Sequence, residues 1–182
     1  MSAPSVRTWI ALLRAINVGG RRLPMARLRE LAEALGWTQV RSYLQSGNLQ
    51  FQADGTAAAL EAALETTLAQ ACGFDVPVLV RPQSTWHQLQ SGNPFPEAAT
   101  ARPKLLHLGL SKASLASDAA ERLQAFAVAG ERVAQDSDAL WIDFGEAVAT
   151  SKLTPARIDR CAGSVVTLRN WRTVCALAES AT

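Results

Sequence analysis

Trp9-Ile10-Ala11-Leu12-Leu13-Arg14-Ala15-Ile16-Asn17-Val18-Gly19-Gly20 is an apolar run that carries one charge and breaks on paired glycines. It reads as a central β-strand that ends in a polar loop. Pro24 then opens a helical pattern, with Leu28, Leu31 and Leu35 on one side and Gly36 closing it. Next comes Val40-Arg41-Ser42-Tyr43-Leu44, the turn formers Ser46-Gly47-Asn48, and Leu49-Gln50-Phe51-Gln52 with a period of two, which together predict a strand pair. Asp54, Gly55 and Thr56 start a second helix, whose Leu60, Leu64 and Leu68 recur every four residues before Gly73. Val76 to Arg81 is a fourth strand, and Pro77, which cannot donate to a ladder, favours a sheet edge. The order βαββαβ is that of a ferredoxin-like plait, with strands one and three central. Strands at about 7–15, 40–44, 48–52 and 76–81 should therefore form one antiparallel sheet, with both helices on a single face.

The rhythm repeats further on. Ser84 to Gln90 reads as a short helix, and Ser91-Gly92-Asn93-Pro94-Phe95-Pro96 with Pro103 punctuates the chain as a linker over 91–103. Lys104 to Leu110 is a strand, Ser117 caps a helix with Leu123 and Phe126 inward, and Glu131–Ala134 with Ala139–Phe144 forms a hairpin. Thr154-Pro155 opens another helix, Gly163 ends it, Ser164 to Leu168 is a strand, and Asn170 caps a final helix. The expected fold is α+β, with two ferredoxin-like (βαββαβ, alpha-beta plait) units in tandem, at 1–90 and 104–182, and an extra C-terminal helix. No residue-level repeat is visible between the units.

The chain has 182 residues, 48% hydrophobic and 19% charged, which is the composition of a globular protein with a full core. Its net charge of +2 hides an uneven distribution. Residues 1–50 hold seven Lys/Arg against two Asp/Glu, 51–150 hold six against twelve, and 151–182 hold five against two. Two basic ends that met would form a positive field favouring acidic or phosphorylated ligands, whereas the bland alternative is a solvated surface. Cys72, Cys161 and Cys175 are odd in number and lack CxxC spacing, so they read as reduced core residues of a cytoplasmic protein. Residues 9–18 are too short and too interrupted to span a bilayer, and no membrane partner is expected.

Several chemistries lack their residues. Gly19-Gly20 is neither a GxGxxG fingerprint nor a GxxxxGK[ST] phosphate loop. His87 and His107 sit in apolar patterns as structural histidines, no Ser-His-Asp arrangement is suggested, and no His/Cys/Asp/Glu cluster has ligand spacing. No cofactor or metal is expected.

The remaining candidates are cations and small polar residues. Arg14 falls on the strand face of Ile10 and Leu12, where it should be largely withdrawn from water and held by acceptors, either as a structural tie or as a ligand clamp. Asn17, Gly19, Gly20, Arg21 and Arg22 follow it in the loop before the first helix. Ser46, Gly47 and Asn48 are explained by a turn alone, but they belong to the same chemical set. Arg169 and Asn170 repeat the situation of Arg14 and Asn17, with Trp171 directly beside them able to stack on a base or ring, and Ser151 and Lys152 precede a capped helix. Cations with hydroxyls and amides suit an oxyanion and form no general acid–base pair, so binding of a small phosphate- or carboxylate-bearing ligand is expected without an assigned reaction. The alternatives are a nucleic-acid-binding module that tracks phosphates and a structural or interaction protein without a ligand. The Lys/Arg-Gly-Phe-type block of RNA-binding plaits is absent from the sequence.

Five blocks, in order, carry a resemblance: Ala11–Gly20, Gln45-Ser46-Gly47-Asn48, Asn93-Pro94-Phe95, Ser151-Lys152-Leu153 and Arg169-Asn170-Trp171-Arg172-Thr173-Val174. Together they resemble the bacterial family DUF1697, a domain of unknown function, nearly end to end. The resemblance implies two ferredoxin-like parts and no established activity. It departs where the family usually has glycine at Ala15, and where a Thr-Thr-X-Arg-Asn run is replaced by Val166-Thr167-Leu168-Arg169-Asn170.

Overall fold

The apolar run forms strand β1, Arg7–Leu13, and leaves the sheet one residue before Arg14. The structure, a computed structural model, describes residues 6–179. The chain divides into two units, Met1–Thr85 and Trp86–Thr182.

In unit 1, β1 joins β2 (Thr38–Tyr43), β3 (Asn48–Ala53) and β4 (Val78–Pro82) in an antiparallel sheet of order β2-β3-β1-β4. This is the plait order, with β1 and β3 central. Helices α1 (Met25–Ala34) and α2 (Ala57–Cys72) both pack on the face carrying Trp9, Ala11, Leu13, Leu49, Phe51, Val78 and Val80. They do so through Leu28 and Leu31, and through Leu60, Leu64 and Leu68, as the apolar stripes require. Thr56 caps α2 by accepting from the Ala59 N–H, and Gly73 ends it at φ 75°.

Unit 2 repeats the topology. β5 (Leu106–Ser111), β6 (Arg132–Asp136), β7 (Ala139–Asp143) and β8 (Val166–Asn170) form an antiparallel sheet of order β6-β7-β5-β8. The remaining helices are α3 (Gln83–Ser91), which spans the boundary between units, α4 (Pro96–Ala101), α5 (Ala119–Gln124), α6 (Pro155–Ala162) and α7 (Trp171–Glu179). Thr154 and Gly163 bound α6, and Asn170 Oδ1 accepts from the Thr173 N–H at 3.0 Å to cap α7. Three expectations change. The stretch read as a linker carries α4, with Pro96 in its first turn. Ser117 does not cap α5, whose N-cap is Asp118. Phe126, expected inward, lies past the end of α5 and is 40% exposed under the Arg157 guanidinium, 4.2 Å away.

Three of the four edge strands have outward backbone groups bonded by helix side chains. On β4, the outward N–H groups of Val78 and Val80 donate to Glu65 and Glu61 of α2, each at 2.8 Å, and the next outward position, Pro82, has no N–H. On β8, the Val166 N–H donates to Asp159 of α6 at 2.9 Å. On β6, the Gln124 amide of α5 accepts from the Val133 N–H at 2.8 Å and donates to the Glu131 carbonyl at 3.0 Å, as a neighbouring strand would. The repeat unseen in the sequence extends to the guanidiniums: Arg81 donates to its preceding carbonyl at 2.9 Å and Arg169 to its own at 2.8 Å. Glu61 is buried and also pairs with Arg81 at 3.5 Å. Glu61→Ala should therefore lower stability by about 1–3 kcal/mol, since it leaves the Val80 N–H without an acceptor; denaturant unfolding of the full chain checks this, and an unchanged midpoint would mean that water replaces the carboxylate at no cost.

Candidate functional site

The polar loop after β1 is built by its asparagine. Asn17 Nδ2 donates to the Leu23 carbonyl at 3.0 Å and to the Gln45 carbonyl at 2.7 Å, while its Oδ1 accepts from the Leu23 N–H at 2.9 Å. The side chain thereby ties the loop both to its own exit and to the β2–β3 turn. Further out, the Asn17 N–H donates to the Arg21 carbonyl at 2.6 Å and the Arg21 N–H to the Val18 carbonyl at 3.1 Å. Gly19 and Gly20, at φ 57° and 85°, are the central residues of this tight turn, a conformation that needs positive φ twice. A Cβ at either glycine would meet nothing within 4 Å, and among the described residues no acceptor takes their N–H groups. Arg21 and Arg22 are exposed; the Arg21 guanidinium lies 5.4 Å over Phe74 and reaches the Asp75 carbonyl at 3.5 Å.

Ser46, Gly47 and Asn48 frame the same corner from the other side. The Gly47 carbonyl accepts from the Leu13 N–H at 2.8 Å. Asn48, fully buried, donates to the Tyr43 carbonyl at 2.7 Å and to Ser46 Oγ at 3.1 Å. Asn48 thus ties Ser46 to the end of β2, and Gly47 ties the turn to β1. Arg14 is partly buried: β1 ends at Leu13 and Arg14 begins the loop, its N–H donating to the Pro77 carbonyl at 3.0 Å. Backbone strain gathers here, with Ala15 at φ 54°, Asn17 at 55° and Leu44 at 59°. The glycine that the family resemblance implies at Ala15 would meet that φ without strain.

In unit 2 the candidates serve other ends. Ser151 donates to Glu131 Oε1 at 2.6 Å, and its Oγ accepts from the Leu153 N–H at 3.1 Å. Glu131 is buried and also accepts from the Val128 and Ala129 N–H groups; the Ser151 hydroxyl, foremost, and these amides hold its carboxyl below the usual range. Lys152 is exposed, and its carbonyl accepts from Arg157 at 2.7 Å. Burial lowers the Arg169 pKa to about 10. Trp171, set aside for stacking, packs 5.8 Å from Trp141. His107 is half-buried: its Nδ1 lies 3.2 Å from the Leu105 carbonyl, its ring is edge-on to Phe144 at 5.1 Å, and burial pushes its pKa down.

The sequence reading passed over the most heavily bonded group in unit 2. Asp143, fully buried, accepts from Arg102 Nε and Nη2 at 2.9 and 2.5 Å, from Arg132 Nη2 at 2.8 Å and from the Gly145 N–H at 3.1 Å. Arg132 also pairs with Glu97 at 2.5 Å and lies 4.6 Å over the Phe95 ring. Burial alone would raise the Asp143 pKa, but the two guanidiniums and the amide overcome it and hold it at about 2. The signal was in the sequence, since Asp143 is the lone acid of the apolar run Ala139–Phe144, just as Arg14 is the lone cation of Trp9–Val18. Among the described residues, no group of three or more His, Cys, Asp or Glu is placed to hold a metal ion.

Residues 6–141 match the model of a protein family described as a protein of unknown function, DUF1697. The chain belongs to that family. The DUF1697 chain is also similar in fold to the conserved bacterial protein SP0830 from Streptococcus pneumoniae, with a TM-score of 0.75 at 20% identity over 97% of this chain and 98% of that one. No curated protein matches the DUF1697 chain. No helix among its described residues is long and apolar enough to cross a membrane.

Proposed function

We propose that this protein binds a small phosphate- or carboxylate-bearing anion on the loop 14–22 of unit 1, in the cytoplasm, where its three free cysteines would stay reduced. The observation that carries this reading is the pair of adjacent N–H groups at Gly19 and Gly20, unbonded among the described residues and open to solvent, beside the exposed Arg21 and Arg22. Consecutive amides in a turn form an anion-binding concavity, and a guanidinium can close on two oxygens at once. Arg14 adds a third cation at the base of the loop. Asn17, Ser46, Gly47 and Asn48 act as the frame, and Asn17 in particular fixes the loop in advance, which reduces the ordering cost of binding. Ser151 and Asn170 have no part in it, being taken by Glu131 and by the N-cap of α7.

Inorganic pyrophosphate in low salt is the test. At about a hundredfold excess over its Kd it should stabilise the protein by about 2–3 kcal/mol, and Arg21→Ala/Arg22→Ala should abolish that gain while leaving unliganded stability within about 0.5 kcal/mol. A gain that survives the double substitution would remove the loop from the site. If pyrophosphate is silent while oligothymidylate binds with a log–log salt slope of about −0.7 per phosphate contacted, the nucleic-acid reading replaces this one.

A further inference from the structure

We propose that β2 of unit 1 is a docking edge for an extended, acidic segment of another protein, which would add to the sheet as a fifth strand. The argument starts from the treatment of the other three edges. Outward backbone groups are taken by Glu61 and Glu65 on β4, by Asp159 on β8 and by the Gln124 amide on β6. These are the devices by which proteins keep a sheet from pairing with a neighbour. On β2, among the described residues, no side chain from a helix takes an outward backbone group. Among the described residues, the one side-chain bond to its backbone, from Asn48 to the Tyr43 carbonyl, comes from the β3 side. The helix facing it, α1, reaches it only side chain to side chain, through Arg29 on Ser42 Oγ at 2.5 Å. The helix could have covered this edge as α5 covers β6, and it does not.

The stretch of the edge open to an incoming strand is short. Gln39 at φ 51° forms a bulge where the register shifts between Thr38 and Arg41, which limits regular pairing to Arg41–Tyr43. Beyond it, Tyr43 is 41% and Leu44 52% exposed at the end of the strand. A strand laid on this edge would gain main-chain hydrogen bonds, and its alternate side chains would lie beside Arg41 and Tyr43 on one face and Val40 and Ser42 on the other.

Charge selects the occupant. Arg41 is the charged residue of β2 and is exposed, and Arg29 stands beside Ser42. A second copy pairing through the same edge would bring both cations of each molecule together, which like-charge repulsion opposes. An acidic segment meets Arg41 with opposite charge and places apolar side chains by Tyr43 and Leu44. This rests on β2 alone and is independent of the anion reading at loop 14–22.

The probe is a ten-residue peptide of alternating Val and Glu, with a Val–Lys peptide and a Val–Glu peptide N-methylated at alternate residues as controls. Amide hydrogen exchange of the full chain should slow at 38–43 when the Val–Glu peptide is added, and should not change at β4, β6 or β8. Both controls should bind at least tenfold more weakly. Arg41→Glu should reverse the preference in favour of Val–Lys, with the circular dichroism spectrum unchanged. The proposal is overturned if the exchange of β2 amides is unaffected, if N-methylation leaves binding intact, or if the protein alone protects β2 in a concentration-dependent way, which would make the occupant a second copy.

Discussion

Replacing Gly47 with alanine should lower the stability of the chain by about 2–5 kcal/mol. Gly47 sits at φ 81°, where an L side chain pays about 1–2 kcal/mol to stay. An added Cβ would lie 2.5 Å from Ile16 Cδ1 and 2.8 Å from Leu13 Cβ. Both neighbours are buried in the core of unit 1, so the loop or the strand end must move, and overpacking of that kind costs about another 1–3 kcal/mol. The shift would also stretch the bond from the Leu13 N–H to the Gly47 carbonyl. Guanidinium unfolding with hydrogen exchange, which separates the two units, gives the measurement; the loss should appear in unit 1 alone. A stability within 0.5 kcal/mol of the parent would mean that Ile16 yields freely, and that the corner joining loop and turn is softer than its packing implies.

The second large effect is expected at Asp143. Asp143→Asn keeps the shape but removes the charge that two guanidiniums share, and puts an amide donor among donors. A loss of about 3 kcal/mol at neutral pH is expected, smaller than for a fully enclosed ion pair because both arginines are partly hydrated. The same carboxyl sets an acid limb. Its pKa is depressed from 3.8 to about 2, so its contribution is complete above about 3.8 and disappears as pH falls toward and through about 2. The variant should show a shallower decline between pH 4 and 2. Parent-like stability at pH 7 with an equally steep acid limb would mean that the network yields no net stability.

Much of the fold was legible because its signals are local. Leucines four apart, Thr56 with Gly73, Thr154-Pro155 with Gly163, and Asn170 before an apolar stripe each specify an element within one or two helical turns. What was missed depends on contacts distant in sequence or on context. Pro94 and Pro96 read as punctuation, yet Pro96 occupies a first helical turn, where its missing N–H costs nothing. Asp143 finds Arg102 across 41 residues, and no spacing rule reaches that far. The site was harder still. Asn17, Asn48 and Ser151 are the residue types that hold anions, but they are equally the types that satisfy backbone and carboxylate groups, and only the geometry showed the second use. Gly19 and Gly20 were legible as a turn, although their open amides follow from a turn conformation that composition alone does not specify.

The closing of three sheet edges by Glu61, Glu65, Asp159 and Gln124 fixes a valence. A polymer that grows by strand addition needs at least two open edges on every subunit, one to accept and one to pass the sheet on. Among the described residues β2 is the edge whose outward backbone groups no helix side chain takes, so on the docking proposed above each folded molecule has one site for this kind of bond. Any assembly through it terminates at a pair.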